Sequence, residues 1–247
     1  MASSIEVIDT KSFPGVVADE IVLSIQEAID DHGTCLVSLA GGKTPANVYR
    51  LLSRPPRVND VEWSKVVLFL GDERWVAADD IQSNQRMVRE TLLSNLSEQQ
   101  QPEFVTVNTS LATPDEGASD YSDKLKQVFT SYGRDKLDLV LLGVGEDGHF
   151  ASVFPGSPLL NGNAAGLAAS AQAPDKKSWR VTLTPEVLFS ASRILFIVSG
   201  GNKADVLKSV LEEDGNISVL PARAYRQAKG SVTWFVDSEA GIHLNRA

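Results

Sequence analysis

The chain has little cysteine, little histidine, no long apolar run and no excess of positive charge. Cys35 is the single cysteine among 247 residues, so an internal disulfide is excluded. The net charge of −9 at pH 7 argues against non-specific binding to nucleic acid or an anionic membrane, because both need a positive field. No apolar segment reaches the ~20 residues that cross a bilayer, and the first residues do not resemble a signal peptide. We therefore expect a cytoplasmic protein that binds neither nucleic acid nor membranes.

Metal-binding and covalent-serine chemistry also lack their sequence signatures. The three histidines, His32, His149 and His243, lie far apart and do not combine with the single cysteine at metal-ligand spacing. No Gly-x-Ser-x-Gly sequence is present, so the strand-to-helix elbow of a serine hydrolase is not predicted. We expect a protein that uses no metal ion and no other cofactor.

The chain does contain an alternation of helical and strand patterns from end to end. Apolar residues recur at helical spacing over 14–31, and further helix-length segments lie at 45–54, 83–93, 114–131 and 202–213. Short apolar runs typical of strands lie at 34–40, 66–70, 104–107, 137–142, 193–198 and 231–236. Strands that are apolar on both faces and separated by helices indicate a parallel sheet covered on both sides. We predict one α/β domain over 1–247, a doubly wound, mostly parallel, Rossmann-like sheet, with 170–184 as a candidate side sheet.

Ligands of such sheets bind where the carboxyl ends of strands meet the starts of helices, and four loops here qualify. The first reads Gly41-Gly42-Lys43-Thr44-Pro45. Its glycines allow close approach of the backbone, Thr44 can cap the next helix, and the helix N-terminus favours an anion, so we predict a phosphate cradle. A nucleotide-binding P-loop is not predicted, because the glycine required earlier is replaced by valine. A tight turn without a ligand is the alternative.

The second and fourth loops supply candidate cations. Asp72 and Arg74 follow the run 66–70, and Asn84 lies at the start of the next helix. The planar fork of Arg74 suits a phosphate or an oxyanion. Lys203 lies at a helix start after the run 193–198, and Arg180 is a further candidate. Solvated surface charges are the alternative for each.

The third loop carries the most informative motif, in which Gly145, Asp147 and His149 follow the run 137–142. Its glycine spacing also fits a dinucleotide fingerprint, but Pro155 cuts short any long helix and 161–173 contains no acid for a ribose. A histidine at the mouth of a parallel sheet, beside a candidate phosphate site, can transfer protons near pH 7. A structural or surface histidine is the alternative.

Five segments in order resemble the glucosamine-6-phosphate isomerase/6-phosphogluconolactonase family, and within it the lactonases. They are 40–45, 71–76 with 83–84, 143–156, 180–182 and 201–204. The resemblance spans nearly the whole chain. It implies the Rossmann-like fold shared with glucosamine-6-phosphate deaminases and ribose-5-phosphate isomerases. It also implies hydrolysis of 6-phospho-D-glucono-1,5-lactone in the pentose phosphate pathway.

The same resemblance implies roles for individual residues. His149 would transfer the proton, Arg74 would position the substrate, and Lys203 with the backbone of 41–44 would surround the phosphate. The remaining candidates for substrate contact are Asn84, Gly145 and Arg180. Either Asp147 or Asp72 would orient His149, and the sequence leaves both open. It also leaves open whether the Lys43 side chain contacts the phosphate, because the family often has serine there. The expected assembly is a monomer or a weak homo-oligomer.

Two other functions compete with the lactonase. Deaminases share the first and third motifs but continue towards Asn-Glu-Pro, where the glutamate assists ring opening. Here Phe154 precedes Pro155, and a phenyl group cannot transfer a proton, so the lactonase is favoured. A sugar-phosphate-sensing module without turnover would normally carry a DNA-binding or partner segment, for which this chain has no spare length.

Overall fold

The computed structural model describes residues 3–162 and 164–245, and it confirms the predicted α/β architecture. Seven parallel strands form the central sheet, and three antiparallel strands form a side sheet. The strands are β1 (Ser3–Ile8), β2 (Cys35–Leu39), β3 (Val66–Leu70), β4 (Asp72–Arg74), β5 (Glu103–Val105), β6 (Leu139–Leu142), β7 (Ala168–Gln172), β8 (Trp179–Leu183), β9 (Arg193–Val198) and β10 (Ser231–Asp237).

Helices cover both faces of the central sheet. They are α1 (Phe13–His32), α2 (Lys43–Leu52), α3 (Arg57–Asp60), α4 (Asn84–Thr91), α5 (Pro114–Ser131), α6 (Pro185–Ser190) and α7 (Ala204–Glu212). The apolar sides of α1, α2 and α4 pack with alternate strand residues into one core, and those of α5, α6 and α7 pack into a second core on the opposite face. Cys35 is fully buried in the first of these cores. Within the described ranges, no helix is long and apolar enough to span a membrane.

The order of strands places the four candidate loops side by side. The central sheet runs β1-β10-β9-β6-β2-β3-β5, so the chain winds outward in one direction from β2 and in the other from β6. Ligands of doubly wound sheets bind at such a switch in strand order, beyond the carboxyl ends of the strands. The four candidate loops follow β9, β6, β2 and β3, which are four adjacent strands around this switch.

The side sheet, in the order β4-β8-β7, stands beside this edge and confirms that 170–184 contributes strands. Its β4 continues from β3 after one residue, and it pairs antiparallel with β8 so that Arg74 is opposite Arg180. The side sheet therefore brings charged residues from two distant segments to the loops of the central sheet.

Several boundaries differ from those expected from the sequence. The edge strand β1, the charged strand β4 and the short helices α3 and α6 were not predicted, and each of them spans six residues or fewer. Helix α2 begins at Lys43 rather than at Pro45. The prediction that Thr44 caps it was wrong: Gly42 is the cap residue, with φ 104°, and no side chain caps the helix. The Thr44 hydroxyl instead lies 2.7 Å from the Ser199 hydroxyl, which joins the first loop to the fourth.

Candidate active site

A cavity of about 440 Å³ lies at the carboxyl ends of the central strands. All four candidate loops and the hairpin between β7 and β8 contribute to its wall. The charged and polar side chains that line it are Asp72, Arg74, Asn84, His149, Ser152, Asp175, Arg180 and Lys203. Gly41, Gly71, Gly143 and Gly145 line it with backbone. The cavity is therefore wide enough for a small sugar derivative and carries groups of both charges.

His149 is held at the cavity by Asp147. Nδ1 of His149 lies 2.5 Å from Oδ1 of Asp147, which also accepts a hydrogen bond from the His149 backbone N–H at 3.2 Å. An ionised carboxylate only accepts hydrogen bonds, so in the neutral imidazole Nδ1 carries the proton and Nε2 keeps its free electron pair. Burial raises the pKa of Asp147, but the charge and hydrogen bonds of His149 outweigh it and hold this pKa below its usual range. The pair therefore presents a basic nitrogen on a side chain that is 31% exposed.

The backbone directly after His149 forms a tight turn that holds the histidine in place. Phe150 and Val153 are fully buried and close the turn, since the Val153 N–H donates to the Phe150 carbonyl at 2.9 Å. Ala151 between them has φ 45°, a left-handed conformation that costs energy for a residue with a Cβ atom. Because both ends of the turn are buried, its backbone packs against the core. His149 and Ser152 line the cavity beside it.

Two neighbours restrict the imidazole further. A Cβ atom on Gly145 would lie 2.0 Å from Nδ1 of His149, so only glycine leaves room for the ring. The phenyl ring of Phe154 packs against the imidazole, with the two ring centroids 4.9 Å apart. Phe154 also lines the cavity. At the position where the deaminases would supply a carboxylate, this chain therefore places an apolar wall against its histidine.

Asp72 is bound by other partners. Its Oδ2 accepts a hydrogen bond from the Ser152 hydroxyl at 2.6 Å, and its backbone carbonyl accepts one from Nδ2 of Asn84 at 2.8 Å. The Asn84 side chain fills the space beside Gly41, where a Cβ atom would lie 2.3 Å from its Oδ1. Within residues 3–162 and 164–245, no hydrogen bond joins Asp72 to His149. Of the two aspartates considered, only Asp147 contacts the imidazole.

Glu73 stabilises the second loop from a buried position beneath the cavity wall. It is 2% exposed, and its carboxylate accepts four hydrogen bonds of 2.7–3.0 Å, from the backbone N–H groups of Arg74, Asn84 and Gln85 and from the Ser83 hydroxyl. Two of these donors are the first N–H groups of α4, where a negative charge is favoured. Burial raises the pKa of Glu73, and the four hydrogen bonds partly offset that rise.

Three cations converge on the cavity from different elements. Arg74 and Arg180 face each other across the pairing of β4 and β8, and Lys203 precedes α7 on the far side of the sheet switch. Burial, and next the charge of Arg74, lower the pKa of Arg180. Among the described residues, neither guanidinium forms a salt bridge with a carboxylate. Because two arginines face each other here with no ion-pair partner among residues 3–162 and 164–245, this wall of the cavity is suited to an anionic ligand.

The fourth loop is supported by an acid from the last strand. Asp237 is 2% exposed, and both of its carboxylate oxygens accept the Gly200 N–H at 3.1 Å. Gly200 has φ 95°, which favours glycine. The loop is also joined to the third, because Nδ2 of Asn202 donates to Glu146 at 2.5 Å. The backbone that carries Lys203 is therefore held on two sides.

Comparison with known proteins agrees with this geometry. Residues 9–234 match the model of the family described as glucosamine-6-phosphate isomerases/6-phosphogluconolactonase. The chain belongs to this family. It is 32% identical to a 6-phosphogluconolactonase of Synechocystis over 91% of this chain and 90% of the relative. It is 35% identical to the human 6-phosphogluconolactonase over 86% of this chain and 79% of the relative.

Solved structures of the family have the same fold. A 6-phosphogluconolactonase from Shewanella baltica superposes with a TM-score of 0.84 at 29% identity, covering 96% of this chain and 98% of the other. The Trypanosoma brucei 6-phosphogluconolactonase gives 0.84 at 27% identity and covers 99% of both chains. A monomeric glucosamine-6-phosphate deaminase gives 0.81 at 19% identity, covering 97% and 99%, and at that identity it supports the fold alone.

Most of the residues predicted for a site of this family do lie together. Gly41, Asp72, Arg74, Asn84, Gly145, His149, Arg180 and Lys203 all line one cavity, and Asp147 contacts His149 from behind. Gly42, Lys43 and Thr44 are outside its lining. Lys43 is exposed as the first residue of α2. In the part of the chain that the structure describes, no group of three or more His, Cys, Asp or Glu side chains could hold a metal ion.

Sequence reasoning missed four residues that shape this site. Ser152 and Asp175 line the cavity, while Glu73 and Asp237 support its loops from buried positions. An acid at the end of an apolar run was a usable signal for Asp237, which follows the predicted run 231–236. Nothing in the sequence indicated the partner of Ser152, which lies 80 residues away.

Proposed function

We propose that this chain hydrolyses 6-phospho-D-glucono-1,5-lactone to 6-phosphogluconate, with His149 as the proton-transfer residue. The observation that carries the proposal is the His149–Asp147 pair at a cavity that also presents three cations. A lactone needs a base for water, while its phosphate needs positive charge, and this cavity supplies both. Membership of a family with close lactonase relatives supports the same substrate.

The proton moves through Nε2 of His149. Because Nδ1 donates to Asp147, Nε2 is free to take a proton from water as the water oxygen attacks C1 of the lactone. The tetrahedral intermediate then collapses with cleavage of the bond between C1 and the ring oxygen, and the imidazolium returns its proton to that oxygen. One water is added across one ester bond, and His149 ends in its starting state.

Positive charge has two tasks in this reaction. The phosphate of the substrate needs a charge-assisted partner, and the oxygen on C1 becomes an anion in the intermediate. Lys203 at the start of α7 suits the phosphate, together with the backbone at Gly41. The facing pair Arg74 and Arg180 suits an oxyanion or a second side of the phosphate. Asp147 keeps the imidazole oriented throughout.

The test is an assay with freshly prepared phosphogluconolactone, in which acid release is followed against the spontaneous rate. We expect strong acceleration by the wild type, and His149→Ala should lower kcat by about 100-fold or more with an unchanged circular dichroism spectrum. Absence of acceleration by the wild type would refute the proposed reaction. Near-normal turnover by His149→Ala would refute only the role of His149 and not the proposed reaction. Ammonia release from glucosamine 6-phosphate at a comparable rate would favour the deaminase.

We also propose that the enzyme acts in the cytoplasm as a monomer or weak homo-oligomer. A phosphorylated sugar is made and retained inside cells, and the cavity joins the histidine and the cations within one chain. Subcellular fractionation and sedimentation over a range of protein concentrations would test the two statements. Activity confined to an organelle, or a tight oligomer at nanomolar concentration, would contradict them.

A further inference from the structure

The hydrogen bond between Ser152 and Asp72 joins two loops that are far apart in sequence. The Ser152 hydroxyl lies 2.6 Å from Oδ2 of Asp72, and Ser152 itself is 1% exposed. The backbone N–H of Ser152 is close to a second partner, Oγ1 of Thr182, at 3.3 Å. The strained Ala151 precedes it in the tight turn. The surrounding backbone therefore fixes the position from which the Ser152 hydroxyl donates its hydrogen bond to Asp72.

The other carboxylate oxygen of Asp72, Oδ1, can still accept hydrogen bonds. Among the described residues, Oδ1 of Asp72 has only a long contact of 3.4 Å with Nδ2 of Asn84, whereas each carboxylate oxygen can accept two hydrogen bonds. Asp72 borders the cavity and is not bonded to His149 within the described ranges. A carboxylate that accepts but cannot donate is suited to the hydroxyl groups of a sugar.

We propose that Ser152 is a positioning residue that holds the Asp72 carboxylate towards the cavity as an acceptor for a hydroxyl of the sugar ring. The inference rests on the proposed function, since it assigns the pair to recognition of the same substrate. Asp72 then recognises the hydroxylated ring, while the cations recognise the phosphate. Asp147 alone orients the histidine.

A competing role for Asp72 is simple compensation of the arginine charges, because its negative charge raises the pKa of Arg180 against the effect of burial. Ser152→Ala separates the two roles. This variant keeps the charge of Asp72 and removes only the hydrogen bond that directs it. Charge compensation would survive the change, and recognition of a hydroxyl would not.

The experiment measures kcat and KM for phosphogluconolactone, together with binding of 6-phosphogluconate and of inorganic phosphate by thermal shift. For Ser152→Ala we expect kcat/KM to fall and the dissociation constant of 6-phosphogluconate to rise, each by about 10-fold or more, with phosphate binding unchanged. Ser152→Cys, which keeps the size and a weak donor, should lie between wild type and alanine. Ser122→Ala is the matched control, because in the part of the chain that the structure describes this buried serine hydrogen-bonds only the backbone of Ala168.

A double variant tests whether Ser152 acts through Asp72. If it does, adding Ser152→Ala to Asp72→Asn should change 6-phosphogluconate binding by less than about 2-fold, because neighbours in one network are not additive. Full additivity, or an equal loss of phosphate binding in Ser152→Ala, would overturn the proposal. The binding measurements do not depend on turnover. If the wild type fails to hydrolyse the lactone, the proposed function is refuted, but the binding measurements still test the role of Ser152.

Discussion

Oδ1 of Asp147 lies 2.5 Å from Nδ1 of His149, although only one residue separates the two along the chain. That residue is Gly148, with φ 77°, and a Cβ atom there would lie 2.6 Å from Leu220. A left-handed glycine therefore turns the backbone so that the carboxylate and the imidazole face each other. The contact distinguishes Asp147 from Asp72, which the sequence had left as equal candidates.

We predict that Asp147→Asn lowers kcat/KM by about 10-fold at pH 7. Because the native pKa of Asp147 is lowered, its carboxylate is ionised above its ordinary pKa, and the contribution of that charge is lost only as pH falls through the native value. At pH 7 the carboxylate is therefore ionised and forms a charge-assisted hydrogen bond with His149. The tenfold loss corresponds to replacing a charge-assisted hydrogen bond by a neutral one, about 1.4 kcal/mol. A value of kcat/KM for Asp147→Asn at pH 7 equal to that of the wild type would contradict this role.

A second prediction concerns Gly145. Its φ is not left-handed, so alanine is acceptable to the backbone, but the new Cβ atom would lie 2.0 Å from Nδ1 and 2.2 Å from Cε1 of His149. The partly exposed imidazole can move away without disturbing the core. Gly145→Ala should therefore lower kcat by about 100-fold, as loss of the general base would, while the melting temperature changes little.

Gly15→Ala is the matched control for that variant. Gly15 lies in the first turn of α1, and its Cβ atom would meet one arginine nitrogen at an ordinary 3.5 Å. The Gly15→Ala protein should keep full activity. A Gly145→Ala protein that retains both turnover and stability would show that the imidazole does not need this space.

The loops could be predicted from the sequence because each one follows a strongly apolar strand. The runs at β3 and β9 were predicted residue for residue, and helix α5 likewise. Glycines next to such strands mark ligand loops for a local reason, since both turn geometry and close approach are encoded within a few residues. For that reason Gly41, Gly145, His149 and Lys203 were identified before any geometry was known.

Contacts between loops could not be predicted in the same way. The strand β4 is three residues of charged sequence, and it forms because β8 pairs with it, a partner about a hundred residues away. The Ser152–Asp72 bond and the burial of Glu73 depend on that same arrangement. Propensity and periodicity describe a segment by itself, so they carry no information about such pairs.

Glu73 gives a third prediction, on stability. Replacing it by Gln turns an acceptor of four hydrogen bonds into an amide whose NH₂ group faces two donors, so the free energy of unfolding should fall by about 2–4 kcal/mol at pH 7. Activity should fall with it, because Arg74 and Asn84 are among the bonded residues. Urea unfolding of the two proteins measures the difference. Glu116→Gln is the control, since Glu116 is exposed in the first turn of α5.

The same pair of proteins gives a pH dependence with a definite sign. The native pKa of Glu73 is raised above the ordinary 4.5, so the folded state holds this proton more tightly than the unfolded state. The stability that this group contributes is fully present below 4.5 and is lost as pH rises through the native value. The difference between wild type and Glu73→Gln should therefore become smaller from pH 4 to pH 7. A difference that grows over this interval would contradict the interpretation that burial of the Glu73 carboxylate outweighs its hydrogen bonds.

The last prediction assigns the phosphate among the three cations. Lys203→Ala should remove a charge-assisted contact of about 1.5–3 kcal/mol and so lower kcat/KM for the phosphorylated lactone by about 10- to 150-fold. Unphosphorylated gluconolactone never makes that contact, so its slow hydrolysis should be nearly unchanged. Lys208→Ala, on the same helix but outside the cavity lining, is the control for removing one positive charge from an acidic protein. An equal loss for both lactones would mean that Lys203 serves the reacting centre or the fold. The facing pair Arg74 and Arg180 would then be the remaining place for the phosphate, because Lys43 is outside the cavity lining.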